Sequence, residues 1–174
     1  VFIWLTLSKK KIRVEKELFL SVIFYGFIFG LEFLLLFVAL DLSSVMRVTI
    51  IFYSMPVWLA LMNHIFLKDD KLTRSKTFGL MIAVLGVTIA VVSSNLLPEK
   101  ETNLWGDLCA LGGAIGWALF AFYSKNSSLS NKPSDTLMFY AFLVSAPMLI
   151  IFSLLYGPFI RQLEIIHITG FLFQ

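Results

Sequence analysis

The stretch that decides the fold is LFLSVIFYGFIFGLEFLLLFVAL, residues 18–40, in which Glu32 is the single charged residue. A helix of about 20 apolar residues is long enough to cross the hydrocarbon of a bilayer. In that environment a helix satisfies all of its backbone polar groups within its own segment. The stretch therefore predicts a transmembrane α-helix.

Four more apolar stretches of similar length follow along the chain. Hydrophobic residues make up 59% of the 174 residues and charged residues 14%, which is too little polar surface for a water-soluble fold. The shorter apolar stretches at 1–7 and 165–174 are interpreted as the end of one span and the beginning of another. The predicted fold is all-α, a polytopic transmembrane helical bundle with two partial terminal spans and five complete spans at 18–40, 45–67, 78–94, 105–124 and 137–156.

The basic residues predict the orientation of the bundle. Eleven of the 14 Lys and Arg residues lie in alternate connections, and the other three are Arg47, Lys100 and Arg161. Because cytoplasmic loops retain positive charge, the loop at residues 8–17 is predicted to be cytoplasmic. The net charge of +3 is therefore assigned to membrane orientation, and no nucleic acid partner is predicted.

Small residues predict where helices pack closely, since association in lipid depends on close approach of backbones. Two pairs spaced four residues apart are Gly26 with Gly30 and Gly112 with Gly116. Gly79 and Gly86 belong to a third small-residue stripe on the span at 78–94. Two interpretations are open: the glycines only permit tight packing, or they also allow helices to slide past one another.

Glu32 is the leading candidate for a functional residue. It lies roughly 13 Å inside the first complete span, by the helical rise of about 1.5 Å per residue. Ionisable residues at such depth are costly and usually functional. Arg47, in the first turn of the next span, is the predicted partner. The pair is either structural, or it forms a proton-sensitive, substrate-binding site beside a water-filled cavity.

Pro56 predicts a kink in the middle of the second span, because it cannot donate a hydrogen bond to the carbonyl of Phe52. Freed carbonyls can line a polar cavity. Tyr53, Ser54 and Trp58 are the candidate lining residues around the kink. The alternative is that the aromatic residues are ordinary bundle or interfacial side chains.

Three further residues have simpler interpretations. Asp107 begins the fourth span, where a carboxylate favours the positive end of the helix dipole, so a capping role is expected. His64 is expected to be a satisfied interfacial histidine near the cytoplasmic end. Trp117, in the middle of the fourth span, is included among the candidate substrate-binding or coupling residues, although it can face either lipid or a central cavity.

An ordered set of short motifs resembles a known transporter family. The motifs are Gly30-Leu31-Glu32-Phe33, Ala39-Leu40, Ser43-Ser44, Tyr53-Ser54-Met55-Pro56, Asp70-Lys71-Leu72-Thr73, Gly79 and Gly86-Val87, followed by Gly106-Asp107 and Ala114-Ile115-Gly116-Trp117-Ala118. Together they resemble the EamA-type transporters of the drug/metabolite transporter superfamily. The resemblance covers most of residues 18–125. Asp70 departs from the pattern, in which Glu is more common.

The resemblance implies ten spans in two inverted repeats with both termini cytoplasmic. On this mapping, residues 1–98 form the latter part of the first repeat and 99–174 the opening part of the second. The chain would then begin late in the second span and stop early in the eighth, so we expect it to be truncated at both ends.

The resemblance also implies a function. We expect an alternating-access secondary transporter of the bacterial cytoplasmic membrane that exports a small metabolite or drug-like solute. The expected partners are lipid, the solute, protons as the candidate coupling ion and a second copy of the chain as the candidate assembly. No cofactor, metal or catalytic residue is predicted. The alternatives are an intramembrane enzyme that uses Glu32, His64 or Asp107, and a non-transporting membrane component.

Overall fold

The computed structural model describes residues 16–68, 70–94 and 103–156, and it is built from helices. A 3-10 turn at Lys16–Leu18 is followed by six α-helices: α1 Phe19–Leu42, α2 Val45–Phe52, α3 Met55–Phe66, α4 Arg74–Ser94, α5 Leu104–Asn126 and α6 Ser134–Tyr156. The described residues contain five helical segments that are long and apolar enough to cross a membrane, with α2 and α3 forming one of them. The prediction of an all-α bundle with five complete spans is confirmed. The two predicted partial spans lie outside the described residues.

The second span is interrupted in its middle, where Pro56 predicts a kink. α2 ends at Phe52 and α3 begins at Met55. Between them the Tyr53 N–H donates to the Thr49 carbonyl at 2.9 Å, and the Ser54 N–H donates to the Ile51 carbonyl at 3.0 Å. Pro56 occupies the first turn of α3, where its missing N–H is tolerated. The result is a single span whose α-helical hydrogen bonding is interrupted by a tighter turn at Tyr53 and Ser54.

α1 is the central helix of the described bundle, since it packs along both α5 and α6. One part of this packing is an aromatic cluster: the rings of Tyr25 and Phe120 stack with centroids 4.3 Å apart, and those of Phe29 and Phe120 lie 4.9 Å apart. Tyr140 of α6 is fully buried in the same cluster. Aromatic contacts of this kind fix the three helices against one another.

A second buried cluster lies nearer the end of the bundle at which α1 finishes and α2 and α5 begin. Following the orientation that the basic residues predict, we call this the outer end. The cluster consists of Ala39, Val48, Ile51 and Ala110, and we call it the outer apolar cluster. Its members come from α1, α2 and α5, so it joins the first half of the broken span to the centre of the bundle.

The connection between α3 and α4, which lies at the opposite end from the outer apolar cluster, is ordered by side-chain hydrogen bonds. His64 Nδ1 accepts from the Leu72 N–H at 3.1 Å, as expected for a satisfied interfacial histidine. Thr73 Oγ1 accepts from the Lys76 N–H at 3.4 Å, so Thr73 caps the start of the third span. Capped by Thr73, α4 begins at Arg74, one turn earlier than the predicted start at residue 78.

Candidate functional site

Glu32 lies in the middle of α1 and is 3% exposed. Its Oε2 atom has no hydrogen-bond partner within the described part of the chain. Buried carboxyl oxygens are normally hydrogen-bonded or paired, because leaving them unpaired in an apolar interior is costly. Glu32 is therefore an exception of the kind that is found at functional sites.

Glycines of α5 allow the helix backbone to approach Glu32 closely. A methyl group at position 116 would lie 3.3 Å from Glu32 Cβ, and one at position 113 would lie 3.6 Å from the Glu32 carbonyl oxygen. A methyl group at position 113 would also lie 3.5 Å from the ring of Phe52, the last residue of α2. Glu32 consequently lies beside the interruption between α2 and α3.

The candidate lining residues are divided between interior and surface. The Trp58 Nε1–H donates to Ser54 Oγ at 3.2 Å, one turn earlier in the chain. Trp58 and Ser54 are both half-buried, and so is Trp117, which follows Gly116 on α5. Pro56 is exposed, and Tyr53 is 65% exposed. A substrate-lining role for these residues stays a prediction.

Arg47 is paired with Asp107 and not with Glu32, so the predicted Arg47–Glu32 pair is wrong. Arg47 Nε lies 2.8 Å and 2.9 Å from the two Asp107 carboxylate oxygens, and Nη2 lies 2.5 Å from Oδ2. Both side chains are largely buried, at 13% and 14% exposed. Ser43 Oγ donates to Asp107 Oδ1 at 3.5 Å. We call the Arg47–Asp107 contact the outer ion pair.

Depth in the bundle explains why the predicted pair does not form. By the rise of about 1.5 Å per residue, Glu32 lies about 15 Å below the outer end of α1, whereas Arg47 lies about 3 Å below the start of α2. Asp107 is in the first turn of α5, so its depth below the outer end is similar to that of Arg47. The matching first-turn positions of Arg47 and Asp107 are the sequence signal that could have identified this pair.

The expected capping role of Asp107 is performed instead by Asn103. Asn103 is the N-cap residue of α5, and its side chain accepts from the Trp105 N–H at 3.0 Å. Asp107 remains in the first turn, where the helix dipole favours its charge. Its carboxylate is directed to Arg47 and Ser43, so it links helices rather than ending one.

The first predicted glycine pair lies at the interface of α1 with α6. A methyl group at position 26 would overlap the side chain of Val144. At position 30 it would lie 2.9 Å from Met148 Sδ. These two glycines therefore allow α6 to lie directly on α1.

The other glycines divide into two groups. At position 112 a methyl group would lie 3.2 Å from Leu35 Cδ1, so Gly112, like Gly116, lies at the interface of α5 with α1. Gly79 and Gly86 on α4 have no atom of the described chain within 4 Å of such a methyl group. A helix-packing role for Gly79 and Gly86 stays a prediction.

Comparison with known proteins places these features in a family. The model of the EamA-like transporter family matches residues 1–92, which is more than half of the chain. The chain is 26% identical over 159 residues to the uncharacterized transporter YoaV of Bacillus subtilis (strain 168), an alignment that covers 90% of this chain and 53% of YoaV. It is 28% identical over 148 residues to the uncharacterized transporter YyaM of the same organism, covering 83% of this chain and 47% of YyaM.

The chain thus spans about half the length of the curated relatives it matches. No solved structure matches it. The membrane-spanning helices and the family match agree with the resemblance found in the motifs around Glu32. The chain is an integral membrane protein and belongs to the EamA-like transporter family.

Proposed function

We propose that this chain acts in membrane transport of a small solute, as part of an alternating-access secondary transporter. We further propose that the direction is export and that the membrane is the bacterial cytoplasmic membrane. Membership of a transporter family and the names of the two Bacillus relatives support transport. They also favour transport over an intramembrane enzyme.

The observation that carries the proposal is the buried carboxyl group of Glu32, whose Oε2 atom has no hydrogen-bond partner among the described residues. In the membrane interior an ionised carboxylate without a partner is strongly unfavourable. Binding of a proton or of a positively charged group would relieve this cost, and either event changes the charge at the middle of the bundle. We propose Glu32 as the residue at which solute binding is coupled to protons.

The interruption between α2 and α3 supports a binding site next to Glu32. Discontinuous helices in transporters expose backbone carbonyls and helix ends to polar ligands near the middle of the membrane. Phe52, at the end of α2, and Glu32 both lie next to Gly113. We propose that Ser54, Trp58, Tyr53 and Trp117 line the route of the solute around this point.

Uptake into everted membrane vesicles tests this proposal, with a mixture of radiolabelled L-amino acids as the probe. An acidic vesicle interior imitates the outside of the cell. Vesicles that contain the protein should accumulate the label faster when the interior is acidified, because export in exchange for protons becomes uptake in this orientation. Vesicles without the protein give the background.

Two matched variants identify the role of Glu32. Glu32→Gln should abolish the stimulation by acid, while Glu17→Gln, the same change at an exposed position beside α1, should leave it unchanged. If Glu32→Gln vesicles retain both uptake and its dependence on pH, coupling at Glu32 is wrong. If the protein adds nothing to the background uptake, L-amino acids are not its solutes.

A further inference from the structure

A continuous seam of contacts between α2 and α5 leads from the outer end of the bundle to Glu32. The outer ion pair lies at the top of the seam. Below it Val48 and Ile51 meet Ala110 in the outer apolar cluster. The next level is Phe52 against Gly113, beside the backbone of Glu32. The seam therefore runs from the outer ion pair to the backbone of Glu32.

α2 is a short rigid unit with an interruption at each of its ends. It has eight residues. Before it, Ser43 and Ser44 have extended backbones, with ψ values of 174° and 146°. After it, Tyr53 and Ser54 keep right-handed helical backbones and form a tight hydrogen-bonded turn that leads into α3. Rotation at these two places can move α2 as one body without unfolding a hydrogen-bonded turn inside it.

The outer ion pair is the strongest specific link between α2 and α5. In lipid, burial of apolar side chains between helices gives no hydrophobic driving force, so packing and polar contacts determine association. Two of the α5 residues along the seam, Ala110 and Gly113, are small. The contact between Arg47 and Asp107 is charge-assisted and uses both carboxylate oxygens, a geometry that gives strong and directional bonds.

We propose that the outer ion pair is the outer gate of this protein: while Arg47 is bound to Asp107, α2 lies against α5 and water from the outer side cannot reach Glu32. When the pair separates, α2 swings from α5 about Tyr53–Ser54 and the seam opens. This inference rests on the proposed function, because a gate is meaningful only in a transporter. Its structural content, separation of α2 from α5, can be measured without any solute.

The test uses a cysteine at Val48 as a reporter of the seam. Val48 is fully buried and adjacent to Arg47, and Cys is smaller than Val, so the substitution adds no bulk. The natural Cys109 is first replaced by Ser to remove its signal. Cells that produce Val48→Cys/Cys109→Ser are treated from outside with a charged maleimide that does not cross the membrane. Labelling should be slow, since the thiol is covered.

Adding Asp107→Asn to the reporter should accelerate labelling on the order of tenfold, the effect expected when a hydrogen bond between charged groups is lost. Adding Asp107→Glu, which keeps the carboxylate, should keep labelling slow. The control is Val45→Cys/Cys109→Ser, in which the thiol is at the 68% exposed first residue of α2. Its labelling rate should be the same with and without Asp107→Asn.

Several outcomes overturn the gate. They are an unchanged rate at position 48 in Asp107→Asn, an equal acceleration at position 45, and an equal acceleration by Asp107→Glu. Should Asp107→Asn fail to accumulate in the membrane, Arg47→Gln, which breaks the outer ion pair from its other side, is added to the reporter instead. It should accelerate labelling at position 48, and no acceleration rejects the gate.

Failure of the gate can be distinguished from failure of the proposed function. Solute uptake that depends on Glu32, together with unchanged labelling at position 48, rejects only the gate. Labelling that depends on Asp107, in a protein that takes up no L-amino acids, supports the gate as a moving contact and rejects L-amino acids as solutes.

Discussion

Glu32 and Gly116 face each other across the interface of α1 and α5, where a methyl group on Gly116 would lie 3.3 Å from Glu32 Cβ. The contact is tight, and α5 holds its position over the Glu32 side chain because residue 116 has no side chain of its own. The spacing of two helices and the environment of a buried carboxyl group are thus set by the same residue. A larger residue at 116 changes both together.

Gly116→Leu should lower the free energy of unfolding of the protein in detergent by about 1–3 kcal/mol, the range typical of overpacked interiors. Its unfolding temperature should fall accordingly. Gly86→Leu is the matched control, since no described atom lies within 4 Å of a methyl group there. Its unfolding temperature should change little. Monitoring of tryptophan fluorescence during heating compares the two variants. Equal destabilisation by both would mean that close approach at position 116 does not matter.

Glu32→Leu should raise the unfolding temperature. The substitution removes a buried oxygen that has no hydrogen-bond partner in the described structure, and such a group costs about 1–3 kcal/mol in proteins. The gain in stability should accompany the loss of proton-dependent uptake, as is common for functional groups kept at a cost. Glu17→Leu, at an exposed position, provides the comparison. A lower unfolding temperature for Glu32→Leu would show that Glu32 stabilises the fold.

Asp70 should give the loop between α3 and α4 a pH dependence. Hydrogen bonds from Lys76 and Asn63, together with the charge of Lys76, hold the pKa of the Asp70 carboxyl below its ordinary value. Because the pKa is lower in the folded state, the stabilisation is present above the unfolded pKa of about 3.9 and is lost as the pH falls through the folded pKa.

Hydrogen exchange of residues 61–76 measures this effect. At neutral pH, Asp70→Asn should exchange faster than the unmodified protein, because it loses the ionic contact with Lys76. At pH values below the folded pKa of Asp70 the two proteins should exchange alike. A difference that persists unchanged in acid would assign the effect to the amide side chain rather than to the lost charge.

Pro56→Ala should join α2 and α3 into a more continuous helix. Alanine has an N–H that can donate to the Phe52 carbonyl, and it is the best helix former. Amide exchange at residues 53–57 should become slower, and solute uptake should fall if the interruption is needed for movement of α2. Pro133→Ala, at the start of α6, is the control proline. Unchanged exchange at 53–57 would show that tertiary packing, not Pro56, sets the interruption.

The helical spans could be predicted from sequence because they depend on local composition. Long apolar stretches bounded by Lys, Asp and Ser predict helix ends close to the observed ones. Thr73 and Pro56 influence only the helix in which each lies or which it precedes, so their effects are also local. The outer ion pair could not be found in this way. Arg47 and Asp107 are 60 residues apart, and pairing them requires knowing that α5, and not α1, lies against the first turn of α2.

The candidate site was predictable only in part for the same reason. The cost of a charge in lipid identifies Glu32 from sequence alone. The neighbours of Glu32 depend on the rotation of α5 about its own axis, which places Gly113 and Gly116 rather than a larger residue opposite Glu32. Composition also suggested packing at Gly79 and Gly86, but the described chain places nothing against them.

The position of α4 has a consequence for work on the purified protein. None of its described side chains is buried, although it is long and apolar enough to cross a bilayer. Val91 packs against the outer apolar cluster, but most of the described α4 surface is left to lipid, so we expect insertion into lipid to contribute most of what keeps α4 in place. Extraction with a short-chain detergent should release α4 before the other helices separate. Heating curves recorded in such a detergent would then report two events, and only the second would be the melting of the bundle around α1.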